Sequence, residues 1–259
     1  MSDSRRVMAH RGASGHAPEN TLAAMASACE LGCTWVEFDV RLSRDDVPVL
    51  IHDATLKRTA GEDLRIEDVH SEDLGGIDAG SWFDPFWRDE RIPTLAQALD
   101  ACLVLGLTPN IEIKADTGQG MATAAAVART VNERWPADRP RPLVSSFSFR
   151  TLYRFRFAGG RAALALLMWQ EPRRFWTLHK HLLRAEAIHV DPSLMNKRLV
   201  ARARARRCRV AVYTVNDPQE GQALYEAGAD TLITNWPERF LATEGFSGQP
   251  VAESAVVGG

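Results

Sequence analysis

Lysine is nearly missing from this chain: of 31 basic residues only Lys57, Lys114, Lys180 and Lys197 are lysines. That bias makes a lysine at the end of an apolar run, Lys114, informative. The formal net charge of -2 leaves no positive excess for nucleic acid as the main partner. No stretch approaches the roughly 20 apolar residues of a membrane span. Met1 to Arg6 is polar rather than a secretory leader, so a cytoplasmic protein is expected. Cys29, Cys33, Cys102 and Cys208 form no Cys-x-x-Cys spacing and lie among apolar helical neighbours, which predicts reduced, partly buried thiols. Gly-x-x-x-x-Gly-Lys and Gly-x-Gly-x-x-Gly are both absent, so nucleotide binding has no support. The absence of Gly-x-Ser-x-Gly removes the α/β-hydrolase reading.

What is present is an alternation of strand-like and helix-like runs through 259 residues that are 45% hydrophobic, enough for one α/β barrel domain over 1–245 with a flexible tail over 246–259. Strands are predicted at 6–10, 35–41, 48–52, 109–114, 142–147, 162–168, 187–191, 209–215 and 231–234. Helices are predicted at Thr21–Leu31, Thr94–Leu105, Met121–Trp135, Phe149–Phe157, Pro172–Ala185, Lys197–Arg207 and Pro218–Ala227. Nine strands exceed a (β/α)8 TIM barrel by one. Only Leu42–Val47 separates the second run from Pro48–His52, and a parallel neighbour needs a crossover of about a dozen residues or more. Pro48–His52 is therefore read as a hairpin arm on the second strand, leaving eight parallel strands.

Residues 53–93 interrupt the rhythm and are read as a capping insertion after the second strand. Its aromatics Trp82, Phe83, Phe86 and Trp87 are expected to pack as a small satellite core, with a wall for the organic part of a substrate as the functional alternative. The basic run Lys197 to Arg207 is read as a solvated helix face with Leu199, Val200 and Ala203 turned inward.

Five apolar runs stop on chemistry-bearing side chains: Met8-Ala9-His10-Arg11-Gly12, Val36-Glu37-Phe38-Asp39-Val40, Val49-Leu50-Ile51-His52-Asp53, Asn110-Ile111-Glu112-Ile113-Lys114 and Ser145-Ser146-Phe147. Strand ends of a barrel converge on one pocket, so these segments would gather two histidines, three carboxylates, an arginine and a lysine. Glu37 and Asp39 are two apart on one strand and share a face. With Glu112 they make an oxygen site suited to Mg²⁺ or Ca²⁺ rather than Zn²⁺. The bland alternative is ion pairing with Arg11 or Lys114. Three carboxylates against two cations, however, leave charge that requires either a metal or raised pKa values. His10 and His52 are the acid/base candidates. His16, His70, His179 and His181 are taken as structural, and His189 stays undecided. Arg11 offers a bidentate phosphate grip, and Gly12 lets the backbone turn close to a ligand.

Together with Pro18-Glu19-Asn20-Thr21, Asp78-Ala79-Gly80-Ser81-Trp82 and Tyr213-Thr214-Val215-Asn216, these segments resemble the glycerophosphodiester phosphodiesterase family. The nearest resemblance is to its small cytosolic bacterial type linked with glycerol-3-phosphate uptake, and it runs from Val7 to Pro237. The resemblance implies a (β/α)8 barrel that hydrolyses a small-molecule glycerophosphodiester to sn-glycerol 3-phosphate and an alcohol. It implies Glu37, Asp39 and Glu112 as ligands of a divalent cation, His10 and His52 as general acid and base, and Arg11 and Lys114 as phosphate binders. Trp82, Phe147, Tyr213 and Asn216 are the pocket-rim candidates. Many relatives carry Trp at Tyr213 and Asp at Asn235, departures that concern the rim. Lysophospholipase D activity and a non-catalytic binding module are the competing readings, and attack by water or through a cyclic phosphate stays open.

Overall fold

The computed structural model describes residues 6–116, 118–169 and 175–241. Its strands are β1 (Arg6–His10), β2 (Trp35–Leu42), β3 (Pro48–Leu50), β4 (Thr108–Ile113), β5 (Leu143–Ser146), β6 (Ala163–Met168), β7 (Ala187–Val190), β8 (Arg209–Val212) and β9 (Thr231–Thr234). The sheet order is β1-β9-β8-β7-β6-β5-β4-β2-β3, with β1 also paired to β2. Eight parallel strands thus close into a TIM barrel. β3 lies outside the ring, antiparallel on β2, with Leu42 opposite Pro48 and Val40 opposite Leu50. An outer strand is where proline's missing N–H does no harm, and the predicted hairpin arm is observed there.

The helices are α1 (Leu22–Glu30), α2 (Lys57–Ala60), α3 (Ser71–Leu74), α4 (Leu95–Leu105), α5 (Gly120–Arg134), α6 (Phe149–Phe157), α7 (Trp176–Leu183), α8 (Lys197–Arg204), α9 (Pro218–Ala227) and α10 (Glu238–Leu241). Polar side chains cap the starts of five of them. Thr21, Ser148, Asn196 and Asp217 each accept from a backbone N–H in the first turn, and Thr94 with Gln97 forms a reciprocal capping box on α4. Of the predicted helix 172–185, residues 172–174 lie outside the described residues, as does the expected tail 246–259. α8 stops at Arg204, three residues short of the predicted run, and buries Leu199, Val200 and Ala203 as expected. Among the described residues, no helix is long and apolar enough to cross a membrane.

Alternation along each strand splits the molecule into two interiors. Outward-facing Phe38, Val40, Ile111, Val144, Leu164 and Ile188 pack against the helices in the main core. Truncating a fully buried aromatic such as Phe38 to Ala would cost about 3–5 kcal/mol. Inward-facing residues form the barrel's own filling, which becomes polar toward the C-terminal strand ends. The insertion has a separate aliphatic core of Val49, Ile51, Leu56, Ile66, Leu74, Ala79 and Ile92. This corrects one expectation: Trp82, Phe83 and Phe86 are exposed on the insertion and Trp87 is half-buried, so they do not form its core. The aliphatic residues flanking them already fill it.

Candidate active site

Strand register assembles the site. His10 lies opposite Glu37 across β1 and β2, Asp39 lies opposite Glu112 across β2 and β4, and Glu112 lies opposite Ser145 on β5. One carboxylate oxygen from each of Glu37, Asp39 and Glu112 falls within 4.8 Å of the others. All three side chains are buried or nearly so. β1 ends by turning sharply, with Arg11 and Gly12 both in the left-handed region at φ 56° and 79°. A Cβ on Gly12 would stand 2.5 Å from the Ala24 Cβ, so this position admits only glycine. The turn directs the Arg11 backbone N–H onto Glu37 Oε2 at 3.0 Å.

The cations compensate the carboxylates unequally. Lys114 Nζ lies 3.1 Å from Asp39 Oδ1 and 2.8 Å from Glu112 Oε1, while Arg11 Nε lies 3.2 Å from Asp39 Oδ2. Asn20 donates its amide to Asp39 and accepts from the Asp39 backbone N–H. Burial pushes the Asp39 carboxyl up, but Lys114, Arg11 and His52 outweigh it and hold the group well below the usual carboxylate range. Glu37 goes the other way: burial, then the charges of Asp39 and Glu112, raise it well above that range. Burial also raises Glu112 against the pull of Lys114. The two cations therefore do not cover all three carboxylates, and the shortfall falls on Glu37, the carboxyl most readily protonated when no cation is bound, whose Oε1 has no hydrogen-bond partner among the described residues. Three hard oxygen donors with an orphaned buried oxygen fit a divalent cation of the Mg²⁺ or Ca²⁺ kind.

The histidines flank this cluster with different partners behind them. His10 Nδ1 is 2.7 Å from Asn235 Oδ1, an acceptor, so the proton sits on Nδ1 and Nε2 is left facing Glu37 Oε2 at 3.9 Å. Burial, reinforced by Arg11, lowers the His10 pKa to about 4. His52 Nδ1 donates instead to the Asp53 carboxylate at 2.6 Å. Burial lowers its pKa too, with Asp39 and Asp53 opposing.

A cavity of about 560 Å³ opens here, lined by His52, Glu112, Lys114 and Phe147 together with Arg41 and Asp116. Of the rim candidates, Phe147 lines the cavity and Tyr213 packs edge-on against it at 6.1 Å. Trp82 and Asn216 are not among the lining residues. Trp82 donates to Ala79 O at 2.8 Å with the Arg58 guanidinium 5.8 Å over its ring, and Asn216 supports the Asn235 backbone N–H at 3.0 Å.

Sequence reasoning gave no role to the residues that tie these groups together. Glu19 accepts from Arg11 at 2.9 Å and from two nitrogens of Arg58 at 2.7 Å, and Arg58 also donates to Asp53 at 2.7 Å. One chain of charges thus joins His52, through the insertion's Arg58, to the carboxylate cluster. Glu19 and Asp53 were visible inside quoted motifs. Arg58 carried no signal, because its partners are remote in sequence.

A parallel barrel with an acidic cluster flanked by two histidines and two cations suits phosphoester hydrolysis, and comparison with known proteins identifies the family. The family model described as "Glycerophosphoryl diester phosphodiesterase family" matches residues 10–239. A glycerophosphodiester phosphodiesterase of Caldanaerobacter subterraneus is 30% identical over 237 residues, covering 91% of this chain and 96% of that one. An Oleispira antarctica phosphodiesterase solved with the product sn-glycerol-3-phosphate superposes with a TM-score of 0.86 at 33% identity, over 92% of this chain and 95% of that one. A glycerophosphodiester phosphodiesterase from Agrobacterium tumefaciens gives 0.77 at 26% identity, over 92% and 99%. The chain belongs to the glycerophosphoryl diester phosphodiesterase family, and its activity is that of a glycerophosphodiester phosphodiesterase.

Proposed function

We propose that the site hydrolyses soluble glycerophosphodiesters such as glycerophosphocholine or glycerophosphoethanolamine to sn-glycerol 3-phosphate and the free alcohol. The observation that carries this is the cluster of three buried carboxylates flanked by two differently supported histidines, with Glu112 of the cluster and His52 lining the adjoining cavity. The sn-glycerol-3-phosphate held by the Oleispira relative is consistent with the product named. Glu37, Asp39 and Glu112 would hold a divalent cation, Mg²⁺ or Ca²⁺, which supplies Lewis-acid charge to the phosphoryl oxygens.

The protein's own groups do the rest. Neutral Asn235 behind His10 leaves an unprotonated Nε2, the form that accepts a proton from the nucleophile. The Asp53 carboxylate behind His52 stabilises an imidazolium, the form that protonates the departing alkoxide. Arg11 and Lys114 supply positive charge where the phosphoryl group gains negative charge.

The test is a substrate panel, glycerophosphodiesters beside lysophospholipids, assayed with and without chelator. Chelation should abolish turnover and Mg²⁺ or Ca²⁺ restore it, with kcat/KM higher for the soluble diesters. His10→Ala and His52→Ala should each slow the chemical step by about 10² to 10⁴-fold. Full activity after exhaustive metal removal would sink the metal assignment, and a preference for lysolipids would sink the substrate assignment.

A further inference from the structure

The barrel has a second opening at the end opposite the active site. A TIM barrel is normally filled by bulky branched side chains, but three inward positions toward the N-terminal strand ends are Ala163, Ala187 and Ala211. The deficit in volume leaves a cavity of about 310 Å³, walled by these alanines, Met8, Trp35 and Leu143. His189, on β7, forms its inner end. The ring is buried, and Nδ1 has no hydrogen-bond partner among the described residues, an arrangement that costs free energy unless something completes it.

The mouth of the same cavity is basic. Arg6, Arg141 and Arg209 line it with one acid, Glu186. Glu186 is engaged by Arg141. Asp230 lies nearby with its carboxylate held by the Val210 N–H at 2.7 Å, and it offsets one further charge. Among the described residues, no carboxylate lies within ion-pairing distance of Arg6 or Arg209. Arg6 sits 5.8 Å over the Trp35 ring instead. An uncompensated guanidinium at the rim, apolar walls and a buried polar end define one kind of occupant.

We propose that the N-terminal mouth of the barrel binds a small organic anion, a carboxylate or phosphate monoester on a short apolar body, with the anion on Arg6 and Arg209 and the body directed toward His189. The site is separate from the catalytic cluster and does not depend on the reaction assigned there. Charge-assisted hydrogen bonds to guanidinium hold the head, and the body replaces water against the alanine walls.

The experiment titrates the full chain, in EDTA so that no cation at the carboxylates recruits the ligand, with benzoate in one arm and phenyl phosphate in the other. Imidazole ¹⁵N shifts report position, with the His189 signal assigned by its loss in His189→Gln. A saturable His189 shift is expected in at least one arm, and the responding arm identifies the head group. Arg209→Gln should weaken binding by about tenfold or more, the loss of one charge-assisted contact. Ala211→Leu should abolish it by filling the cavity, and Arg11→Ala, at the catalytic end, should leave it intact. No saturable shift in either arm overturns the proposal, as does binding that survives Arg209→Gln undiminished or disappears in Arg11→Ala. If Ala211→Leu melts without cooperativity, Arg209→Gln and Arg6→Gln decide at the rim.

Discussion

Replacing Lys114 with Met tests the electrostatics of the site most directly, because its ammonium is shared between two buried carboxylates. At 3.1 and 2.8 Å from Asp39 and Glu112, each attraction amounts to about 5–6 kcal/mol at an effective dielectric constant near 20. Desolvation of the lysine, several kcal/mol, offsets part of that. Breaking a buried pair by removing one partner has a net cost of about 3–5 kcal/mol, since the carboxylates stay behind uncompensated. In a protein of this length that corresponds to a fall in Tm of about 10 °C. The metal-free variant should show this fall in a thermal melt with EDTA. Saturating Mg²⁺ or Ca²⁺ should recover more of it than the same cation adds to wild type, because the cation replaces the missing charge. Activity should not recover in parallel: kcat/KM should stay depressed, since the lysine's charge is needed most as phosphoryl charge develops. A metal-free variant melting within about 2 °C of wild type, a difference worth roughly 1 kcal/mol or less, would refute the reasoning.

Asp53→Asn removes the charge that stabilises protonated His52, so the alkaline limb of the pH–kcat/KM profile should move to lower pH while the acidic limb stays in place; pH profiles of the two proteins decide it. Gly12→Ala forces a Cβ to 2.5 Å from Ala24 at φ 79°, and denaturant melts should show a loss of at least about 2–3 kcal/mol together with loss of turnover. Burial depresses the His189 pKa from the ordinary 6.5 to about 4, so the ring stays neutral in the folded protein down to that pH. The unfolded chain binds that proton first, so wild-type stability should fall as pH drops from 6.5 toward 4 and this contribution should level off below. The span corresponds to on the order of 3 kcal/mol, and His189→Leu should lack this part of the slope in pH-dependent denaturant titrations.

The barrel was legible because apolar residues dominate the outward faces of its strands and the strands alternate with helix-like runs. Even the extra strand could be assigned, since Leu42 to Val47 is too short for a crossover and Pro48 suits an outer position. The three clustered carboxylates were legible for a related reason: Glu37, Asp39 and Glu112 break apolar strands, which is costly unless they are compensated. Less could be read where the answer depends on contacts between distant segments. Arg58 meets Glu19 across 39 residues and Asn235 meets His10 across 225, and neither pairing has a local pattern. The aromatics at 82–87 were expected inside because aromatics usually pack, but Ile66, Leu74 and Ile92 already fill that core. His189 could not be assigned because strand alternation gives its facing, not the size of the residues around it.

In the proposed mechanism the two histidines take separate duties, and their surroundings differ accordingly. Both are partly or wholly buried, and burial alone would favour the neutral ring in each. Their Nδ1 partners differ in charge: behind His10 a neutral amide fixes a tautomer and its pull toward the imidazolium is outweighed by burial and Arg11, whereas behind His52 stands a full carboxylate charge. Asp53 would be a weak source of that preference if it were free in solvent, but Arg58 clamps its other oxygen at 2.7 Å and orients it. Arg58 is positioned by Glu19, and Glu19 also holds Arg11 beside Asp39. Through these contacts Arg58 of the insertion after the second strand fixes the partner of one histidine and the arginine of the cluster together. A mutation at Arg58 should consequently disturb both halves of the site, even though that residue is not among those lining the cavity.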